Sequence, residues 1–99
     1  MTINVRQVAP TQFLTANTSN QVLTFDSTGL LLVTVLGNTC YLATGSDELT
    51  VDASDGIPVL PNVQVLLQTG QQYNQTPGNV YVSVVGTDTA DVYVTPVSV

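Results

Sequence analysis

Apolar and polar residues alternate with a period of two along most of the chain. No stretch keeps the i, i+3, i+4 spacing of a helix without β-branched interruptions. In Asn79–Val85 the valines at 80, 82 and 84 share one face. In Asp91–Thr95, Val92 and Val94 share one face, and Tyr93 and Thr95 share the other. Leu30–Leu36 is apolar on both faces, which marks a central strand or one whose second face meets another subunit. Val33 and Val35 are expected on its buried face. The pattern predicts strands over Thr2–Ala9, Gln12–Ala16, Gln21–Asp26, Leu30–Leu36, Cys40–Thr44, Ile57–Leu60, Val63–Gln68, Val80–Val85 and Asp91–Val99.

Turn signals stand between these runs. They are Asn17–Asn20, Asp26–Gly29, Gly37–Asn38 (read as a primed hairpin turn), Gly45–Asp47, Asp55–Gly56, the polar stretch from Gly70 to Gly78, and Gly86–Ala90. Many short strands at fairly even spacing, with no clear internal repeat, predict an all-β protein: an antiparallel β-sandwich or jelly roll of about eight strands. Pro10 biases Ala9 toward an extended conformation and sets residues 1–10 apart as a strand or arm, leaving 11–99 as the sandwich domain.

Composition sharpens this picture. Valine is the commonest residue and threonine follows it, both β-branched. Ninety-nine residues make one domain, able to bury about two-thirds of its unfolded surface. Net charge is −6, with no lysine, no histidine and Arg6 as the sole base. Direct contact with nucleic acid is excluded on this count, since phosphate binding needs several cations. Anionic membranes are disfavoured likewise, and no apolar run approaches the length of a membrane-spanning helix. Met1–Arg6 is followed by no apolar signal region, so synthesis in a host cytoplasm and use without secretion are expected.

The candidate chemistry concentrates in "NTCYLATGSDELTVDASDGIPVLP", residues 38–61, which holds the one cysteine and four of the seven acids. Cys40 lies in an apolar run with no His or Lys anywhere to lower its pKa, so a buried structural thiol is expected. Asp47, Glu48, Asp52 and Asp55 invite a Ca²⁺ site. Their spacing fits no EF-hand loop, no terminal glutamate follows, and Leu49 and Val51 interrupt with a hint of a short strand. A solvated loop with Asx-type turns is expected, with no metal and no cofactor. Asp26-Ser27-Thr28-Gly29 and Asp88-Thr89-Ala90 invite comparison with aspartic-protease dyads, but the first places its glycine one residue late and the second has none. Histidine-dependent triads, zinc sites and phosphate-binding glycine loops all lack their residues. A lone glutamate argues against a glycosidase. The chain is therefore expected not to be an enzyme. Tyr41, Tyr81 and Tyr93 fall on strands and are expected as rim or cross-strand pairs, whereas Tyr73, in Gln71–Gln75, is the candidate for stacking on a sugar.

An apolar strand ending in Gly is followed by "CYLATGSDE", "TVDASDGIPVLPNVQVLLQTG" and "VYVSVVGTDTADVYVTPVSV". This layout, from about Leu30 to Pro96, resembles small jelly-roll-like head accessory proteins of tailed bacteriophages. The resemblance implies a decoration or cement protein, trimeric, bound to the major capsid protein or another virion protein on the outer surface of a capsid. The alternative is a receptor- or glycan-binding module of a phage tail or fibre, built on Tyr73. Natural edge strands are usually guarded by charge, especially lysine. The terminal runs Thr2–Ala9 and Asp91–Val99 are read as edges with few charges, available to a partner. Ile3, Val5, Arg6 and Val8 are the expected interface residues of the N-terminal arm, with Arg6 as its anchor.

Overall fold

The computed structural model describes residues 5–26, 29–45, 50–52, 54–69 and 80–98, and among these every regular element is a strand. The strands are β1 (Arg6–Gln7), β2 (Gln12–Ala16), β3 (Gln21–Phe25), β4 (Leu30–Leu36), β5 (Cys40–Gly45), β6 (Ile57–Val59), β7 (Val63–Gln68), β8 (Val80–Gly86) and β9 (Ala90–Ser98). Eight of the nine expected runs are recovered to within a residue at each end, while Thr2–Ala9 is a strand only over Arg6–Gln7 among its described residues.

Four antiparallel pairs nest inside one another: β5 with β6, β4 with β7, β3 with β8, and β2 with β9. The chain is in effect one long hairpin, with the β5–β6 connection at its tip. Two further ladders, β4 with β9 and β5 with β8, fold that hairpin onto itself. The result is two sheets, one ordered β2–β9–β4–β7 and the other β3–β8–β5–β6, with β1 continuing the β2 edge along β9. This strand order is that of a jelly roll.

The core lies between the sheets. Leu31, Val33 and Val35 from β4 meet Val80, Val82 and Val84 from β8, Val92 and Val94 from β9, and Cys40 and Leu42 from β5. Alternation places these side chains inward, and each buried valine contributes about 1.5–3 kcal/mol relative to exposure. One end of the sandwich is fastened by hydrogen bonds between connections. The Gly86 N–H donates to Asn17 O (2.7 Å), the Thr87 N–H to Thr39 O (3.1 Å), and Asn38 Nδ2 to Thr89 O (2.7 Å).

Three expectations are corrected. Gly37–Asn38 is not a hairpin turn, because β4 and β5 lie in different sheets. Gly37, at φ 111°, turns a corner between them, and a side chain there would be strained by that backbone conformation. The C-terminal strand is not an edge. β9 lies between β4 and the β1/β2 edge, paired on both sides. Lastly, the N-terminal segment, expected as an arm reaching a partner, pairs in its described part within its own sheet, Arg6 with Ser98 and Gln7 with Val97.

The gap between β1 and β2 has a cause in β9. The Val8 N–H donates to Pro96 O (3.0 Å). A residue's N–H and C=O face the same neighbouring strand, so the N–H that proline lacks is the one that would return to Val8. The edge strand lifts away there, passes Pro10, and rejoins β9 where Gln12 pairs with Val94.

Val35 is fully buried at the centre of this arrangement. Val35→Ala is expected to lower the unfolding free energy by about 2 kcal/mol through the cavity it leaves. Val35→Asp would bury an unpaired charge and abolish the cooperative transition. Chemical denaturation followed by circular dichroism measures both, and a cooperatively melting Val35→Asp protein would contradict the core placement.

Candidate functional site

The acid-rich connection between β5 and β6 is a strap, pinned at both of its described ends. The Val51 N–H donates to Asn20 Oδ1 (3.1 Å), in the β2–β3 turn. Val51 itself is only 3% exposed. Gly56 packs so closely that a Cβ there would lie 2.6 Å from Val51 Cγ2 and 2.7 Å from Tyr41 Cβ. Asn20 stands next to the Gln21–Val84 pair, and Tyr41 pairs with Val85, so the strap crosses the outer face of the second sheet. Val51 is in no strand, contrary to the hint in the sequence; it anchors the strap instead.

The described carboxylates of the strap, Asp52 and Asp55, are turned to the strap itself. Asp52 Oδ1 accepts from the Ser54 N–H (2.8 Å) and the Ser54 hydroxyl (2.6 Å), while Asp55 Oδ1 accepts from the Asp52 N–H (2.9 Å). The Gly56 N–H closes the turn on Asp52 O (2.9 Å). This is the Asx-type turn expected. The Ser54 hydroxyl, followed by the Ser54 N–H, holds the Asp52 carboxyl below its ordinary value. Among the described residues no three His, Cys, Asp or Glu side chains converge as metal ligands. Asp47, Glu48 and Leu49 lie outside the described residues.

The two aspartates considered as a dyad stand far apart. Asp26 follows Phe25, which pairs with Val80 at the start of β8, whereas Asp88 follows the end of β8. The strand between them spans about 20 Å at about 3.3 Å per residue. Cys40 is buried on the inner face, and desolvation pushes its thiol pKa up. That is the opposite of what a nucleophile requires.

Tyr41 and Tyr81 are half-buried on strands of the second sheet. Tyr93 pairs across strands with Phe13 on the outer face of the first sheet, ring centroids 5.0 Å apart and tilted by 46°. The cross-strand pairing expected of the tyrosines is realised there. The same outer face carries Thr34, Leu32 and Leu66 along the register, with Leu36 beside Asp91 at one end. Phe13 is 51% exposed and Leu66 39%. Neither was singled out from the sequence, although period-two alternation on Gln12–Ala16 and Val63–Gln68 would have placed them outward.

Of the expected interface residues, Ile3 and Tyr73 lie outside the described residues. Val5 is half-buried, and Arg6 is exposed. Val8 is also exposed and borders a cavity of about 370 Å³ with Ala9, Pro10, Gln12, Phe25, Asp26 and Pro96, where the edge strand breaks. Gln12 Nε2 spans the open side of the sandwich to Thr24 O on β3 (2.7 Å). Arg6 and Val8 thus lie on one edge, and Asp26 shares the cavity wall with Val8. Comparison of the chain with family models, with curated proteins and with solved structures found no match.

The depressed Asp52 pKa has a definite consequence for stability. A carboxyl whose folded pKa is lowered contributes stability that is present above its ordinary value, 3.8, and lost as pH falls through the folded value. Asp52→Asn is therefore expected to melt below the parent at pH 5, with the gap closing toward pH 2. Thermal melts across that range measure it. A gap that does not change with pH would remove the charged turn from the account. Calcium and EDTA are expected to leave both melting temperatures unchanged.

Proposed function

We propose that this protein is a non-enzymatic structural protein of a virion, a decoration protein bound to the outer shell of a phage head. The observation that carries the reading is the nested jelly-roll strand order, a fold used by many viral shell proteins. The warrant is analogy at the level of fold, joined to the sequence layout between Leu30 and Pro96. The surface supports binding over catalysis. Its prominent features are apolar side chains on sheet faces and edges, such as Val8, Phe13 and Leu66, while the described acids are spent on turns or held apart.

In this reading the partner is the major capsid protein, and the broken β1/β2 edge is the contact. Arg6 supplies the one cation, suited to bidentate pairing with a carboxylate on the shell. Val8 offers an apolar group at the lip of the adjoining cavity. Individually weak contacts are multiplied when many copies cover a repeating surface.

Binding of purified protein to empty head shells, followed by co-sedimentation, tests the proposal. Arg6→Ala and Val8→Asp are each expected to weaken binding by about tenfold, the loss of about 1.4 kcal/mol from one interface anchor. Both residues are exposed, so the melting temperature should change little. Absence of shell binding by the parent protein, or equal binding by both variants, would overturn the reading.

A further inference from the structure

We propose that β7 is a self-association edge: a second copy of this chain adds its own β7 antiparallel across a two-fold axis, joining two first sheets into one. The edges of the sandwich are unequally guarded. The β1/β2 edge is interrupted, carries Arg6 and passes Pro10. On β3, Thr24 O already accepts from the Gln12 side chain. β6 is three residues long and contains Pro58. β7 has six residues, Val63-Gln64-Val65-Leu66-Leu67-Gln68, with no charge and no proline. An edge of that length and composition presents backbone donors and acceptors to another strand.

The register identifies which groups turn away from β4 and how two copies fit. The Thr69 N–H donates to Gly29 O, extending the β4–β7 ladder by one pair. Backbone direction alternates along a strand, so Leu67 and Val65 also turn to β4, and Gln64, Leu66 and Gln68 turn their N–H and C=O groups to the edge that no strand pairs among the described residues. Two such edges meet in one register that uses all of these groups. Leu66 faces Leu66 of the second copy on the axis, and Gln64 and Gln68 face each other on either side. In that register outward residues meet outward residues, as the pleat demands. Leucine meets leucine and amide meets amide, with Val65 opposite Leu67 on the inner side.

Charge selects the same place. Each copy carries a net charge of −6, so two copies repel over most of their surfaces. Between Asp55 and Asp88 the sequence has no charged residue. β7 is the longest edge strand in that interval, and exposed Val63 at its start and Leu60 just before it add apolar area. The contact is isologous and closes at two copies, which gives a dimer in place of the trimer implied by the phage resemblance. It does not rest on the virion reading, and a dimer that binds no shell leaves it standing.

Sedimentation equilibrium over a concentration series tests the dimer. The mass is expected to rise from 10.4 kDa toward twice that value. Leu66→Lys places two cations on the axis and should stay monomeric, with its fold checked by circular dichroism. Amide hydrogen exchange gives a readout that needs no variant. The Gln64, Leu66 and Gln68 amides should be protected in concentrated protein and exchange rapidly on dilution. A parent protein that stays monomeric, a threefold mass, a folded Leu66→Lys dimer, or exchange at these amides that ignores concentration would each overturn the proposal.

Discussion

Register is the constraint on which the rest of this molecule depends. Every strand from β2 to β9 is paired with a partner lying roughly as far on the other side of the β5–β6 connection. The nested hairpin then folds on itself through the β4–β9 and β5–β8 ladders. A slip of one residue in either ladder would turn a whole row of valines to solvent. The alternating valines of β8 and β9 therefore do more than fill the core, because they make one register far better than its neighbours. Such non-local pairing carries a cost in loop-closure entropy, so slow folding is expected of this topology.

The strap follows from the same constraint. The tip of the hairpin has to turn back from β5 to β6, and its length lets it lie down across the second sheet. Val51 buries there, and beside it the exposed Asx turn at Asp52 pairs backbone N–H groups of the strap with its own carboxylates. The described acids of this segment, Asp52 and Asp55, thus have a structural account: they hold the turn that leads into β6.

Much of the fold was legible in the chain because alternation is a local signal. Leu30–Leu36 and Val63–Gln68 were bounded correctly, and Val33 and Val35 were placed in the core. Sheet partners were not legible, since nothing near Gly37–Asn38 distinguishes a corner from a hairpin. The same limit misplaced Asp91–Val99 at an edge, where low charge and Pro96 fit an edge strand as well as a central one beside a break. Of the candidate site, the Asx turn could be read from Asp52, Ser54 and Asp55. The burial of Val51 could not, because it depends on Asn20, far away in sequence. Phe13 and Leu66 were passed over because single exposed apolar residues are ordinary in strands, and only the assembled sheet shows them as neighbours of other apolar groups.

In the reading proposed above, a scaffold with apolar groups at its faces and edges works by being bound in many copies. The most direct measurement is the number of copies in a purified particle, obtained by quantitative mass spectrometry against the major capsid protein. The account predicts a copy number in fixed, lattice-scale proportion to the capsid subunits. A handful of copies per particle, or none, would contradict it.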